Sequence, residues 1–66
     1  MTYRIRYWTG PTRVAHYGVA ARSKFGGDVL EGTEHVYFTV TARDETDAIK
    51  LVWDALGKSF TRASVL

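Results

Sequence analysis

Arginine and aromatic side chains alternate along the first segment of the chain. Arg4, Arg6 and Trp8 occupy every second position, and alternate residues of a β-strand point to the same face. Arginine binds phosphate through its planar guanidinium group and also stacks on bases, while aromatic rings are platforms on which bases stack. The spacing therefore predicts a surface that binds DNA or RNA. The simpler alternative is a solvated strand face whose arginines pair with carboxylates from elsewhere in the chain.

Charge is segregated along the sequence. Residues 1–27 carry five basic residues and no acidic one, whereas residues 28–57 carry seven acidic residues and two basic ones. The formal net charge of +2 thus hides a basic half that can attract a polyanion. Residues of the next segment complete the predicted nucleic-acid-binding set, which is Arg4, Arg6, Trp8, Arg13, Tyr17, Arg22 and Lys24.

The acidic half supports a second hypothesis. A small protein-interaction module, an inhibitor or adaptor of the kind encoded by compact genomes, could hold one protein partner through the acidic region, Trp8 and the edge of the first strand. The candidate contacts in that case are Asp28, Glu31, Glu34 and Leu51. A third hypothesis is a self-associating structural protein, for example a homodimer, in which the basic half of one copy meets the acidic half of the next.

Residue types that catalysis needs are missing or have a structural explanation. The chain has no cysteine, no serine stands in a nucleophile-elbow pattern, and Gly26-Gly27 lacks the lysine that follows in a P-loop. Helix capping accounts for the carboxylates of residues 44–47. His16 and His35 could meet only if their strands paired, and with Glu34 they are a weak metal signal. We predict a non-catalytic protein with no metal and no cofactor.

Length and composition predict one folded domain, residues 1–66. A chain of 66 residues with 45% hydrophobic residues is too apolar for disorder, although it buries only roughly 60% of its surface on folding. No apolar run approaches the ~20 residues that cross a bilayer, and residues 1–6 lack the apolar stretch of a signal peptide. We therefore expect a cytoplasmic protein without a membrane partner.

Two segments have the alternation of β-strands. Residues 2–8 and 35–42 alternate between faces and are rich in aromatic and β-branched residues, which predicts two strands. Trp8 falls on the polar face of the first strand. Either the register shifts there and Trp8 enters the core, or Trp8 belongs to a contact surface. Residues 22–34 contain three glycines and predict a loop, in which residues 28–31 extend the later strand backwards.

Residues 44–57 predict a helix. Asp44 is a suitable N-cap residue, and Gly57 is a suitable residue for the C-terminal end. The apolar side chains form a stripe at helical spacing, which predicts that Trp53 is buried and leaves Leu51 outside the stripe. The stripe consists of Ala48, Ile49, Val52, Trp53, Leu56 and Phe60. Residues 61–66 are expected to fray.

The segment from residue 12 to residue 25 fits two structures. A strand over residues 13–21 would pair with residues 2–8 across the turn before it, and we predict this arrangement. The alternative is a helix over residues 12–25, with Pro11 in its first turn and Gly26 as its stop. The prediction is an α+β domain in which about three antiparallel strands carry one C-terminal helix on one face. The alternative gives a β-α-β-α order.

This layout resembles small domains that bind DNA through a three-stranded sheet. It equally resembles small antitoxin and inhibitor domains that bind proteins. No sequence motif accompanies either likeness, so the resemblance concerns architecture alone and assigns no role to any residue.

Overall fold

The computed structural model describes residues 1–57 and 62–66 of the chain. Four strands and two helices alternate in the order β-α-β-β-α-β. A single 3-10 turn, Pro11–Arg13, leads into the first helix. The elements are β1 Thr2–Trp8, α1 Val14–Phe25, β2 Leu30–Glu31, β3 His35–Thr41, α2 Glu45–Leu56 and β4 Ala63–Val65. The predicted α+β class is confirmed, with one more strand and one more helix than expected.

The strands form one antiparallel sheet in the order β2-β3-β1-β4. The two seven-residue strands pair along their whole length in the centre, from Thr2 opposite Thr41 to Trp8 opposite His35. The short strands β2 and β4 occupy the edges. In each β-α-β unit the two strands run parallel and are separated by a strand of the other unit, which is the split β-α-β arrangement. This arrangement hosts many unrelated functions, so the function has to be argued from a site.

Both helices cover the same face of the sheet. The inward side chains of the central strands are buried, with Ile5, Tyr7, Val36 and Phe38 wholly inaccessible. Helix α1 contacts β2 and β3, while α2 contacts β3 and β4. Phe25 at the end of α1 stacks on Phe38, with ring centroids 5.3 Å apart. The core is therefore a single layer between the sheet and the helices.

Helix α2 begins and ends as its sequence predicts. Asp44 is the N-cap, and its Oδ1 accepts a hydrogen bond of 2.8 Å from the backbone N–H of Asp47. Gly57 follows the last turn in the left-handed conformation, with φ 74° and ψ 45°, which glycine adopts without a steric penalty.

The buried arc of α2 differs from the predicted stripe. It is centred on Ala48, Val52 and Leu56, so Trp53 lies at its margin and is 40% exposed. The prediction that Trp53 belongs to the core is wrong for this reason. Leu51 is 38% exposed, in agreement with its place outside the stripe, and Phe60 lies outside the described residues.

Residues 13–21 are not a strand, and the helical alternative is confirmed. Helix α1 buries Tyr17, Gly18 and Ala21, at the spacing of one helix face. The first strand does not need a hairpin neighbour, because β3 and β4 flank it on both sides. A Cβ at Gly18 would meet the carboxylate end of the exposed Glu31 side chain of β2, which would have to move aside.

Two short strands complete the sheet where the sequence predicts loop or tail. Leu30–Glu31 pairs antiparallel with β3 instead of extending it, and the N–H of Gly32 closes the turn on the carbonyl of His35 at 2.8 Å. The expectation of a frayed tail is wrong for residues 62–66, because Ala63–Val65 pairs with β1. Thr61 lies outside the described residues. Neither described helix is long and apolar enough to cross a membrane.

Candidate nucleic-acid interface

One face of the sheet has no helix packed on it. Because directly paired residues of neighbouring strands share a face, the pairing register identifies the side chains opposite to the core. We call this surface the open face. It comprises Thr2, Arg4, Arg6, Trp8, Leu30, His35, Tyr37, Thr39, Thr41 and Ser64, with Arg62 at its margin.

Trp8 belongs to the open face. The alternation of β1 continues through it, since Tyr7 is buried and Trp8 is 42% exposed opposite His35. The alternative of a register shift into the core is therefore wrong. The Arg62 guanidinium carbon lies over the indole, 5.2 Å from the ring centroid, which is within the range of a cation–π contact.

The chain after Trp8 is tied down by hydrogen bonds to one carbonyl. The carbonyl of Glu34 accepts from the N–H groups of Thr9 and Gly10, at 2.8 and 3.2 Å. The single hydroxyl proton of Thr9 has two acceptors within reach, the carbonyl of Gly10 at 2.8 Å and that of Glu34 at 3.1 Å. Gly10 then turns the chain with a φ of 76°, a conformation that residues with a side chain rarely adopt. These bonds fix the end of β1 and hence the backbone that carries the indole.

The arginines of the open face are not matched by carboxylates. None of the outward strand positions described in the preceding paragraphs carries an acidic residue. Within residues 1–57 and 62–66 the structure has one ion pair, between Arg43 and Asp47, at 3.8 Å. The solvated-face alternative, in which Arg4 and Arg6 pair with Glu31, Glu34 or Asp47, is thus not what the structure has. The open face carries uncompensated positive charge.

The acidic residues lie elsewhere for identifiable reasons. Four of them belong to α2 and its cap on the other side of the sheet: Asp44, Glu45, Asp47 and Asp54. Glu31 is opposite Val36 and so faces the helix side, while Asp28 and Glu34 lie in the loops that flank β2. The carboxylates are therefore confined to the helix side of the sheet and to the loops beside β2, whereas basic residues occur on both sides.

The remaining predicted nucleic-acid contacts are dispersed. Arg13 is exposed at the start of α1, and Arg22 and Lys24 are exposed near its end, so the sheet separates the latter two from Trp8. Tyr17 is only 7% exposed and packs its ring on Tyr7, with centroids 5.2 Å apart. The stacking role predicted for Tyr17 is wrong, because the segment is a helix whose inward face holds that ring.

The residues of the protein-partner hypothesis do not form one surface. Asp28, Glu31 and Glu34 lie in or beside β2, at one edge of the sheet. Leu51 is on α2, which contacts β4 at the opposite edge. Acidic residues and the exposed leucine are therefore contributed by separate parts of the fold.

Two residues that the sequence did not nominate join the site. Tyr37 lies opposite Arg6 in the centre of the open face, and its alternation with the buried Val36 and Phe38 is a signal that could have found it. Arg62 reaches Trp8 only because β4 pairs with β1, and no local pattern predicts that pairing.

The histidines do not meet. His16 is on α1 and has an edge contact with Tyr17, whereas His35 is on the open face beside Tyr37. The described residues contain no group of three acidic or histidine side chains that could hold a metal ion.

A cavity of about 600 Å³ lies along α1 and is lined by Ala15, His16, Val19, Ala20, Ser23 and Lys24.

Tyr7 is a buried phenol beside the site. Its hydroxyl makes no hydrogen bond of standard geometry, although the side chains of Arg62 and Tyr17 lie close enough to interact with it. Burial and the neighbouring Tyr17 raise the pKa of Tyr7 above its ordinary value of 10.0, and nearby Arg62 opposes that rise. The hydroxyl is therefore neutral at pH 7 and has left water without a well-formed compensating bond.

Comparison with known proteins leaves the fold and the open face as the basis for a functional argument. No family model, curated protein or solved structure matches the chain.

Proposed function

We propose that the protein is a non-catalytic module that binds nucleic acid through the open face of its sheet. One observation carries the proposal. Arg4, Arg6 and Arg62 share a face with the exposed ring of Trp8 and the half-exposed ring of Tyr37, and no outward position of that face in the described strands holds a carboxylate. Phosphate binding needs cations, and base binding needs planar side chains.

The choice of arginine over lysine supports the proposal. The basic residues of the open face are all arginines, whose rigid fork binds a phosphate through two parallel hydrogen bonds. Arg4 and Arg6 are two residues apart on a central strand, and Arg62 stands across from them beside β4. Three such contacts predict that log K falls with log salt with a slope of about −2 to −3.

A pair of charge-reversal variants tests whether the open face is the binding surface. Arg4→Glu/Arg6→Glu and Arg22→Glu/Lys24→Glu change the net charge by the same amount, but on opposite sides of the sheet. We expect the first variant to lose binding to a fluorescein-labelled oligonucleotide in low salt, and the second to retain most of it. Far-UV circular dichroism checks that both are folded.

Four results would contradict the proposal. The wild-type chain could show no change in anisotropy with DNA or RNA at low salt, or the two variants could lose affinity equally. Purification from the native host with and without nuclease is the third measurement. A single protein partner that stays bound after nuclease treatment would favour the protein-interaction hypothesis. Light scattering is the fourth measurement, and oligomers that dissociate as the salt concentration rises would favour self-association.

A further inference from the structure

We infer that the ligand is single-stranded nucleic acid, whose unpaired bases stack on Trp8 and Tyr37, and that duplex is the poorer ligand. This inference rests on the proposed function, since it names the substrate class of the same face. It depends on the width of the sheet, on the position of the aromatic rings and on the distribution of charge.

The open face is too wide for the groove of a duplex. Neighbouring strands are about 4.8 Å apart, so the outer strands of a four-stranded sheet are separated by about 14 Å between their backbones. The major groove of B-DNA is about 12 Å wide and admits a helix or a two-stranded ribbon. The central strands β1 and β3 carry Arg6, Trp8 and Tyr37, with an edge strand on each side, so these side chains do not stand on a two-stranded ribbon of the width that a major groove admits.

The aromatic rings suit bases that are not stacked on each other. Trp8 is opposite His35, and Tyr37 is opposite Arg6, so the two residues are diagonal neighbours on the same face, with backbone positions about 7–8 Å apart. The His35 ring lies beside Tyr37, with centroids 6.1 Å apart. A duplex hides the faces of its bases inside the helical stack, whereas a single strand can lay them on such a platform.

The charge is arranged beside these rings. Arg6 is opposite Tyr37 and two residues from Trp8, Arg4 is further along β1, and Arg62 covers part of the indole from the β4 side. All three guanidinium groups therefore lie on the β1–β4 side of the two rings, so a strand whose bases lie on Trp8 and Tyr37 has cations along one side for its phosphates. A base that takes the indole face displaces Arg62 from it, and Arg62 can then bind a phosphate.

The experiment compares four fluorescein-labelled probes in one buffer: a mixed-sequence 20-nucleotide DNA strand, the RNA of the same sequence, the blunt DNA duplex and heparin. We expect both single strands to bind at least about 10-fold more tightly than the duplex, because each stacked base contributes about that factor or more. Trp8→Ala should lose about 10-fold on the single strands and little on the duplex. Trp8→Phe, which keeps an aromatic ring, should recover part of the loss.

Fluorescence gives an independent readout. Trp53→Phe leaves Trp8 as the sole tryptophan of the chain, and its emission should be quenched by the single strands and unchanged by heparin. Two results would overturn the inference while leaving a charged binding face. One is binding to the duplex as tight as binding to the single strands. The other is heparin binding of the same affinity, together with no quenching by the oligonucleotides. Absence of binding to all nucleic-acid probes would instead refute the proposed function itself.

Discussion

The buried hydroxyl of Tyr7 makes an unusual prediction about stability. Its oxygen is inaccessible and makes no hydrogen bond of standard geometry, although Arg62 and Tyr17 lie close enough to interact with it. Folding therefore removes the hydroxyl from water with only weak compensation, and a buried polar group without a bond costs about 1–3 kcal/mol. Tyr7→Phe deletes the oxygen and keeps the ring that packs against Tyr17. We expect the variant to be more stable than the wild type by about 1 kcal/mol, which for a domain of this size raises the Tm by roughly 4–8 °C.

The pH dependence of the unfolding free energy gives a second signature of the Tyr7 hydroxyl. Below pH 10 both the folded and the unfolded chain hold the Tyr7 proton, so this group contributes no pH dependence. Since the pKa of Tyr7 is raised in the folded state, the unfolded chain releases the proton first as the pH rises above 10. The unfolding free energy of the wild type then falls by up to about 1.4 kcal/mol per pH unit from this group. Tyr7→Phe lacks this contribution, so its advantage should widen above pH 10.

Urea unfolding followed by circular dichroism at pH 7 and at pH 10.5 measures both effects. Tyr37→Phe is the matched control, because its ring stands half-exposed on the open face and its hydroxyl can reach water. We expect that variant to differ from the wild type by less than about 0.5 kcal/mol. A Tyr7→Phe variant that is less stable than the wild type would refute the reasoning, because it would mean that the hydroxyl makes a stabilising bond in solution.

Two further variants test the core and the capping of α2. Asp44→Ala removes the acceptor of the 2.8 Å bond from Asp47 and should reduce the unfolding free energy by about 1 kcal/mol in the same urea assay, whereas Asp54→Ala should leave it unchanged. Phe38→Ala empties the centre of the core, where Phe38 is wholly buried, and should remove about 3–5 kcal/mol. The unfolding free energy of a domain of this length is only about 3–10 kcal/mol in total, so Phe38→Ala should lose much of it. A Phe38→Ala variant that still unfolds cooperatively with an unchanged urea midpoint would contradict the assignment of the core.

The elements that the sequence predicts well are those whose signals are local. Strand β1 has strict alternation, and α2 has a cap at each end, so both were placed to within a residue or two. The segment that became α1 carries alanines, one glycine and mixed side chains, and local preference does not decide between strand and helix there. Its structure is decided by the pairing of β1 with β3 and β4, which the segment itself does not encode.

The residues of the candidate site also divide into those that a local pattern predicts and those whose position depends on long-range pairing. Alternation alone put Arg4, Arg6 and Trp8 on one face, because the period of a strand is fixed by its backbone. Arg62 could not be found, since its position depends on a three-residue strand that exists only against β1. The outward position predicted for Tyr17 is wrong because the prediction gives residues 13–21 the two-residue period of a strand, whereas the segment is a helix.

The position of β1 in the middle of the sheet has a consequence for how the chain folds as it is synthesised. Trp8 pairs with His35 and Ile5 pairs with Val65, so β1 is completed by β4, which follows it in the chain by more than fifty residues. Contacts between such distant residues slow folding, because a long loop must close before any pairing is gained. The helices and the β2–β3 hairpin can form early during translation, but β1 keeps an unpaired edge until residues 63–65 have left the ribosome.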